Sequence, residues 1–168
     1  MAKRRFSFDL SPWLSQLRSL GGDTQKACRA AVYDGAQIMA DAIREEINAL
    51  KVSSDAEARA AYREERPTYI SYSGRDGLRE SLGVAPIGTG KDGSVNTRIS
   101  FDGYNDVKTQ KYPQGQPNAL IAASCNHGSV GMLRQPFIDT AVKKARQEAE
   151  TAMARAFESE IEKLQGGK

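Results

Sequence analysis

Three groups of residues have the types and spacings that could form a catalytic or ligand-binding site. The first is a set of glycines that match the dinucleotide-binding pattern G-x-G-x-x-G: Gly88, Gly90 and Gly93. That pattern holds a pyrophosphate only between a strand and a helix N-terminus, because the helix amides bind the anion. A predicted strand follows the glycines here, so we interpret 88–93 as a hairpin loop. Gly90 and Lys91 also resemble part of a phosphate-binding P-loop, but Asp92 stands where Ser or Thr would bind magnesium.

The second group contains His127, the only histidine, together with the two cysteines, Cys28 and Cys125. Cys125 and His127 lie two positions apart and could form a thiolate–imidazole pair on one strand face. If Cys28 joined them, the three could bind zinc. The sequence contains no C-x-x-C or H-x-x-x-H pair to support either site. We therefore favour structural roles for all three residues.

The third group consists of carboxylates on two predicted helices, which metal-dependent hydrolysis would need in one pocket. They alternate with Arg and Lys at helical spacing, as on a solvated helix face. They are Glu45, Glu46, Glu148, Glu150, Glu158, Glu160 and Glu162. We therefore predict no enzymatic activity and expect no catalytic residues, no cofactor and no metal.

Length and charge narrow the class of protein. The 168 residues fit a single domain, 1–168. A net charge of +3, from 24 basic and 21 acidic residues, is too small to imply nucleic-acid binding. No apolar run follows the basic start or approaches the length of a membrane span. We expect a protein that is not bound to a membrane, in a compartment where its cysteines stay reduced.

The first 50 residues predict two helices after an N-terminal arm, 1–10. Ser11 and Pro12 begin a short helix that contains Trp13 and ends at Gly21. A long helix follows from about Thr24 to Leu50, with apolar residues at helical spacing: Cys28, Val32, Met39, Ile43, Ile47 and Leu50. Gly35 in its interior costs about 1 kcal/mol relative to Ala. We expect close approach of another element to compensate.

The middle of the chain is less regular. Residues 51–73 are predicted as a long loop that includes a surface helix or mobile segment and a short strand at 68–73, and 74–82 as a helical turn. Strands are expected at 84–87 and 95–101, a second long loop at 103–118, and a strand at 119–125, which is continuously apolar or small. A C-terminal helix covers 134–165. The predicted fold class is α+β, with a small antiparallel β-sheet packed against two long α-helices.

The segment Arg134-Gln135-Pro136-Phe137-Ile138-Asp139-Thr140-Ala141, followed by a long helix, resembles a known family. It is similar to the tail-completion, or minor tail and neck, proteins of long-tailed bacteriophages. The glycine-containing turn Asn126-His127-Gly128 before it fits the same pattern, as do the aromatic opening with Phe8 and Trp13 and the turn with Leu78, Ser81 and Leu82.

The resemblance implies a structural virion protein that forms a ring, expected to be hexameric, at the head-proximal end of the tail. The ring would contact the tail tube or tail terminator below and the head connector or stopper above. Genomic DNA could pass through it. The protein would assemble in the bacterial host cytoplasm and reside in the virion. We expect the arm and the two long loops to supply the contacts, through Lys3, Arg4, Arg5, Trp13, Arg63, Arg66, Tyr69, Tyr72 and Tyr112.

Other functions remain open from the sequence. A small nucleic-acid-binding or DNA-processing protein would use the basic arm and an arginine-rich stretch: Arg59, Arg63, Arg66, Arg75 and Arg79. A hydrolase would use Cys125 and His127. Among phage proteins, a head-side adaptor or the tail terminator itself would have a similar size and ring form.

Overall fold

Two long antiparallel helices form the frame of the fold. The computed structural model describes residues 24–91, 93–106 and 111–166, so the predicted arm and first helix lie outside the described residues. Helix α1 is Thr24–Asn48, and the last helix, α5, is Phe137–Gly166. Ion pairs near both ends, Lys26–Glu160 and Glu46–Lys144, fix their antiparallel register.

Within the described residues, nine shorter elements connect the two helices. In chain order they are β1 (Val52–Ser53), α2 (Asp55–Arg63), β2 (Ile70–Ser71), α3 (Tyr72–Ser81), β3 (Leu82–Val84), β4 (Gly88–Thr89), β5 (Val95–Asn96), β6 (Ile99–Phe101) and α4 (Asn118–His127). Strands β3 and β6 pair antiparallel, as do β4 and β5, whereas β1 and β2 pair parallel. These elements confirm the predicted α+β class, although the β structure is divided into two-stranded sheets.

The core has a large and a small part. The large cluster joins the C-terminal half of α1 to the N-terminal half of α5 and to the shorter elements, through Ile47, Ile70, Leu78, Cys125 and Phe137 among others. The small cluster lies at the other end of the helix pair and is made of Ala27, Ala31, Met153, Phe157 and Ile161. The apolar stripes predicted for the two long helices thus face each other, as a 3.6-residue period requires.

Gly35 lies where the two long helices approach each other closely. A Cβ atom on it would lie 2.5 Å from Met153 Cγ and 2.6 Å from Met153 Sδ. The missing side chain therefore provides the space that Met153 fills. This confirms the expectation that a neighbouring element compensates for a glycine inside the helix.

The prediction of a strand at 119–125 is wrong, because this segment belongs to helix α4. Its buried residues are Asn118, Ile121, Ala122, Cys125 and Asn126, the spacing of a helix packed on one side. A short apolar run does not distinguish a buried strand from a buried helix by its period. The alanines of this segment have high helix propensity and favour the helix.

The two predicted long loops differ in how much regular secondary structure they contain. The segment 51–73 is more regular than a loop, since it contains β1, α2 and β2. By contrast, the described residues of 103–118 before Asn118 have no helix or strand beyond an isolated bridge between Tyr104 and Pro117. This second loop is therefore irregular, as the sequence predicts.

The remaining boundaries differ in detail from the prediction. The turn at 74–82 corresponds to α3, the glycines at 88–93 lie in the β4–β5 hairpin, and the strand at 95–101 is divided into β5 and β6. The C-terminal helix begins at Phe137, later than the predicted 134. The reason is that both the backbone and the side chain of Gln135 bond to other segments.

Candidate interface

Helix α2 begins at a network of hydrogen bonds. Ser54 Oγ accepts a hydrogen bond from Glu57 N, and Asp55 accepts two from Ser73, from the backbone N–H at 3.2 Å and the hydroxyl at 2.8 Å. The two bonds from Ser73 lower the pKa of the Asp55 carboxyl. Because Ser73 is in the first turn of α3, Asp55 fixes the start of α2 against α3.

The C-terminus of α2 has the bonding pattern of a Schellman cap. Arg66 N donates to Ala61 O, and Glu65 N donates to Tyr62 O. Glu65 adopts the left-handed conformation that such a cap requires, with φ of 54°. Glycine normally occupies this position, because a side chain there costs about 1 kcal/mol or more. The end of α2 therefore has a defined orientation despite a local conformational cost.

A tight turn over 129–132 adjoins this cap. Ser129 pairs with Met132, and Thr68, which follows the cap closely, donates to Gly131 O and accepts from Leu133 N. These backbone bonds hold the turn beside the segment 66–68. We call the exposed side chains at the end of α2 and in and beside this turn the α2-end patch: Tyr62, Arg63, Arg66, Val130 and Leu133.

The α2-end patch is exposed and combines apolar, aromatic and charged side chains. Val130 is 89% exposed, Tyr62 75% and Leu133 37%. Arg63 and Arg66 are also exposed, and Arg66 Nε lies 2.6 Å from Glu64 Oε2. Tyrosine and arginine are enriched at protein interfaces, and rigid backbone lowers the entropy lost on binding. This surface has the composition of a protein-binding site.

Of the five proposed interface residues that the structure describes, three lie at the end of α2 or in the segment after it, and two lie elsewhere. Arg63, Arg66 and Tyr69 belong to this region, where the Tyr69 ring is 5.9 Å from Lys51 Nζ. Tyr72 begins α3, is 49% exposed and lies against Arg75. Tyr112 lies in the loop before α4, against Lys111. Lys3, Arg4, Arg5 and Trp13 lie outside the described residues.

Sequence reasoning missed Tyr62, Val130 and Leu133, which form the apolar part of the patch. The apolar residues between Gly128 and Arg134 could have indicated an exposed apolar turn, because so short a segment cannot bury every side chain that it carries. The turn that carries Val130 and Leu133 lies close to the end of α2 because Thr68 pairs with Met132, and the sequence does not predict that pairing.

The motif Gln135-Pro136-Phe137 attaches α5 to the rest of the fold. The Gln135 side chain accepts a hydrogen bond from Lys51 N at 2.8 Å and donates one to Lys51 O at 3.0 Å. Its amide thus satisfies both backbone polar groups of Lys51, in the way that the backbone of a paired strand does. Phe137 is buried and packs edge-to-face on Phe101, with ring centroids 6.1 Å apart. Gln135 and Phe137 therefore both have structural roles.

The turn before that motif is also structural. Asn126 is buried, and its Oδ1 accepts hydrogen bonds from Ile138 N at 2.9 Å and Asp139 N at 3.4 Å. It therefore satisfies backbone donors at the start of α5. Gly128 has φ of 80°, and a Cβ on it would lie 3.2 Å from Arg134 Cβ.

Cys125 and His127 do not form the pair that a hydrolase would need. They lie in a helix, where two positions correspond to about 200° of rotation, and so they point to different sides. Cys125 is fully buried and His127 is exposed. Burial raises the pKa of the Cys125 thiol to about 11, partly offset by a hydrogen bond with Gln135. The thiolate is therefore scarce at neutral pH, when nucleophilic catalysis would require it.

The arginines that could bind nucleic acid have partners within the chain. Arg75 and Arg79 both pair with Asp76, and Arg66 pairs with Glu64. The Nε groups of Arg59 and Arg63 donate to backbone carbonyls of α2. The two carboxylates, Asp76 and Glu64, offset part of the positive charge that this stretch could offer to a phosphate backbone.

The described part of the chain offers no cluster of metal ligands. Among these residues, no group of three His, Cys, Asp or Glu side chains could hold a metal ion. Cys28 packs against the small core cluster and Cys125 belongs to the large one, so the two do not converge on His127. Across the same ranges, no helix combines the length and the apolar character that crossing a membrane requires.

Comparison with known proteins adds no relative. No protein-family model matches the chain, and neither a curated protein nor a solved structure shows significant similarity to it.

Proposed function

We propose that the chain is a structural subunit of a long-tailed bacteriophage, a tail-completion or neck protein. In this role it forms a ring, expected to be hexameric, that joins the tail tube or terminator to the head connector. The observation that carries the proposal is the α2-end patch, an exposed surface of apolar, aromatic and charged side chains on hydrogen-bonded backbone. The resemblance of the segment 134–141 to the phage family supplies the biological context.

The physical requirements of a ring agree with this surface. Each subunit of a closed ring binds its neighbour through two different surfaces. The α2-end patch would be one of them, with Val130, Tyr62 and Leu133 as the apolar centre. Arg63 and Arg66 would contribute charged contacts at its rim, where charge selects the partner more than it adds affinity.

The test measures assembly of the purified chain with tail tube, terminator and connector proteins of the same phage. Native mass spectrometry and electron microscopy of isolated tails should show a ring at the head-proximal end. Val130→Asp should abolish the ring and leave the monomer folded, because Val130 contributes almost nothing to the core at 89% exposure. Tyr33→Asp is a matched control, since Tyr33 is 53% exposed on α1, outside the patch.

Two results would contradict the proposal. One is a chain that stays monomeric with all three partners and leaves tails unchanged. The other is duplex DNA binding that weakens steeply with salt in the absence of any tail assembly, which would favour the nucleic-acid function. Ring assembly that Val130→Asp does not affect would retain the function and relocate its interface.

A further inference from the structure

A second exposed surface lies on the long helices. A groove of about 580 Å³ runs between α1 and α5, and its lining includes Asp34, Ile38, Glu148, Ala152, Arg155 and Ala156. The alanines and the isoleucine are half-buried and form an apolar floor, whereas the three charged residues are exposed on its sides. Small residues on the floor would allow another helix to approach closely.

The charges along α5 have a specific order. Glu148 and Arg155 are seven residues apart, which is about two helical turns, or roughly 10.5 Å, on the same side of the helix. Thr151 and Ala152 lie midway between them. If two copies of α5 cross antiparallel about that midpoint, each Glu148 faces Arg155 of the other copy. The same arrangement brings the two apolar floors together.

Helix α1 adds to this complementarity. Met153 and Ala149 flank Gly35, so Asp34 lies level with the middle of the groove. An arginine from a second copy would therefore enter a groove that has Asp34 on one side and Glu148 on the other. Neither these two carboxylates nor the Arg155 guanidinium has a hydrogen bond or an ion pair with another described residue, whereas other charged side chains of α5 are already paired: Lys144, Glu160 and Lys163.

From this charge order we propose that the α1–α5 groove binds the same groove of a second copy of this chain, forming a two-fold dimer. Such a contact closes on itself and does not extend into a ring. It is therefore separate from the α2-end patch and does not rest on the proposed phage function. The contact is small and partly charged, so we expect a dimer of modest affinity that weakens with salt.

The experiment is sedimentation of the full chain over a range of concentrations, with a charge swap. The wild type should dimerise reversibly. Arg155→Glu and Glu148→Arg should each weaken dimerisation roughly thirty-fold or more, because two weak attractions become two repulsions. The double variant E148R/R155E should restore dimerisation in part, since both pairs are rebuilt with opposite polarity while the unchanged Asp34 repels the new glutamate.

Lys143→Glu is the matched control for Arg155→Glu, because it makes a like charge change on an exposed α5 residue outside the groove. It should dimerise like the wild type. Thermal melts should confirm that every variant is folded. A wild type that stays monomeric at all concentrations overturns the proposal, as does a double variant that remains as weak as the single ones. Either result leaves the ring test unchanged, because that test uses Val130.

Discussion

The contact between Gly35 and Met153 gives the sharpest stability prediction. Gly35→Ala would ordinarily stabilise a helix interior by about 1 kcal/mol. Here the new Cβ would lie 2.5 Å from Met153 Cγ and 2.6 Å from Met153 Sδ, so Met153 must move within a buried cluster. Overpacking of this kind costs about 1–3 kcal/mol. We therefore expect Gly35→Ala to lower the free energy of unfolding by about 1 kcal/mol.

Removing Met153 should reverse the sign of that effect. Met153→Ala by itself should cost about 2–5 kcal/mol, because it leaves a cavity in the small core cluster. In that background the Cβ introduced by Gly35→Ala has space, and only the difference in helix propensity remains. Gly35→Ala should then stabilise by about 1 kcal/mol. The coupling between the two positions should therefore be about 2 kcal/mol.

Urea denaturation of the four proteins in this cycle measures the coupling. Gly77→Ala is the control, because Gly77 lies inside α3 and its Cβ would meet only Asn118 Oδ1 at 3.6 Å, an ordinary contact. It should stabilise by about 0.5–1 kcal/mol. If Gly35→Ala stabilises the wild type as much as Gly77→Ala does, the account of the α1–α5 contact is wrong.

Three further substitutions test the candidate-interface region. Asn126→Ala should lower the free energy of unfolding by about 2–3 kcal/mol, since it leaves Ile138 N and Asp139 N without their acceptor. A loss below about 0.5 kcal/mol, which is typical of a surface substitution, would contradict this. Glu65→Gly should stabilise by about 0.5–1 kcal/mol in urea titrations by relieving the left-handed conformation, and destabilisation would disprove the strain. Because the pKa of Cys125 rises from 9.0 to about 11 on folding, the unfolded chain loses this proton first. Stability should therefore fall as pH rises from about 9 toward 11, and Cys125→Ala should lack that part of the fall; equal slopes would argue against burial of the thiol.

The sequence by itself determined the two long helices and their contact faces. The stripe through Met39, Ile43 and Ile47 repeats at helical spacing, and all three residues are buried. Gly35 also signalled a close approach before the neighbour was known. The glycines at 88–93 similarly indicated a hairpin, because alternating residues follow them. These features depend on residues that are close together in the sequence, and the spacing of apolar residues indicates such local structure directly.

Only the tertiary structure decided the nature of α4 and the location of the candidate interface. The apolar pattern of the run from Ala119 to Cys125 does not by itself distinguish a strand from a helix, and in the fold this run packs as a helix against α3 and β6. Val130 and Tyr62 are far apart in the chain, and their regions meet because Thr68 bonds to the turn over 129–132. Contacts between distant segments depend on how whole elements pack, and no local period in the sequence encodes that arrangement.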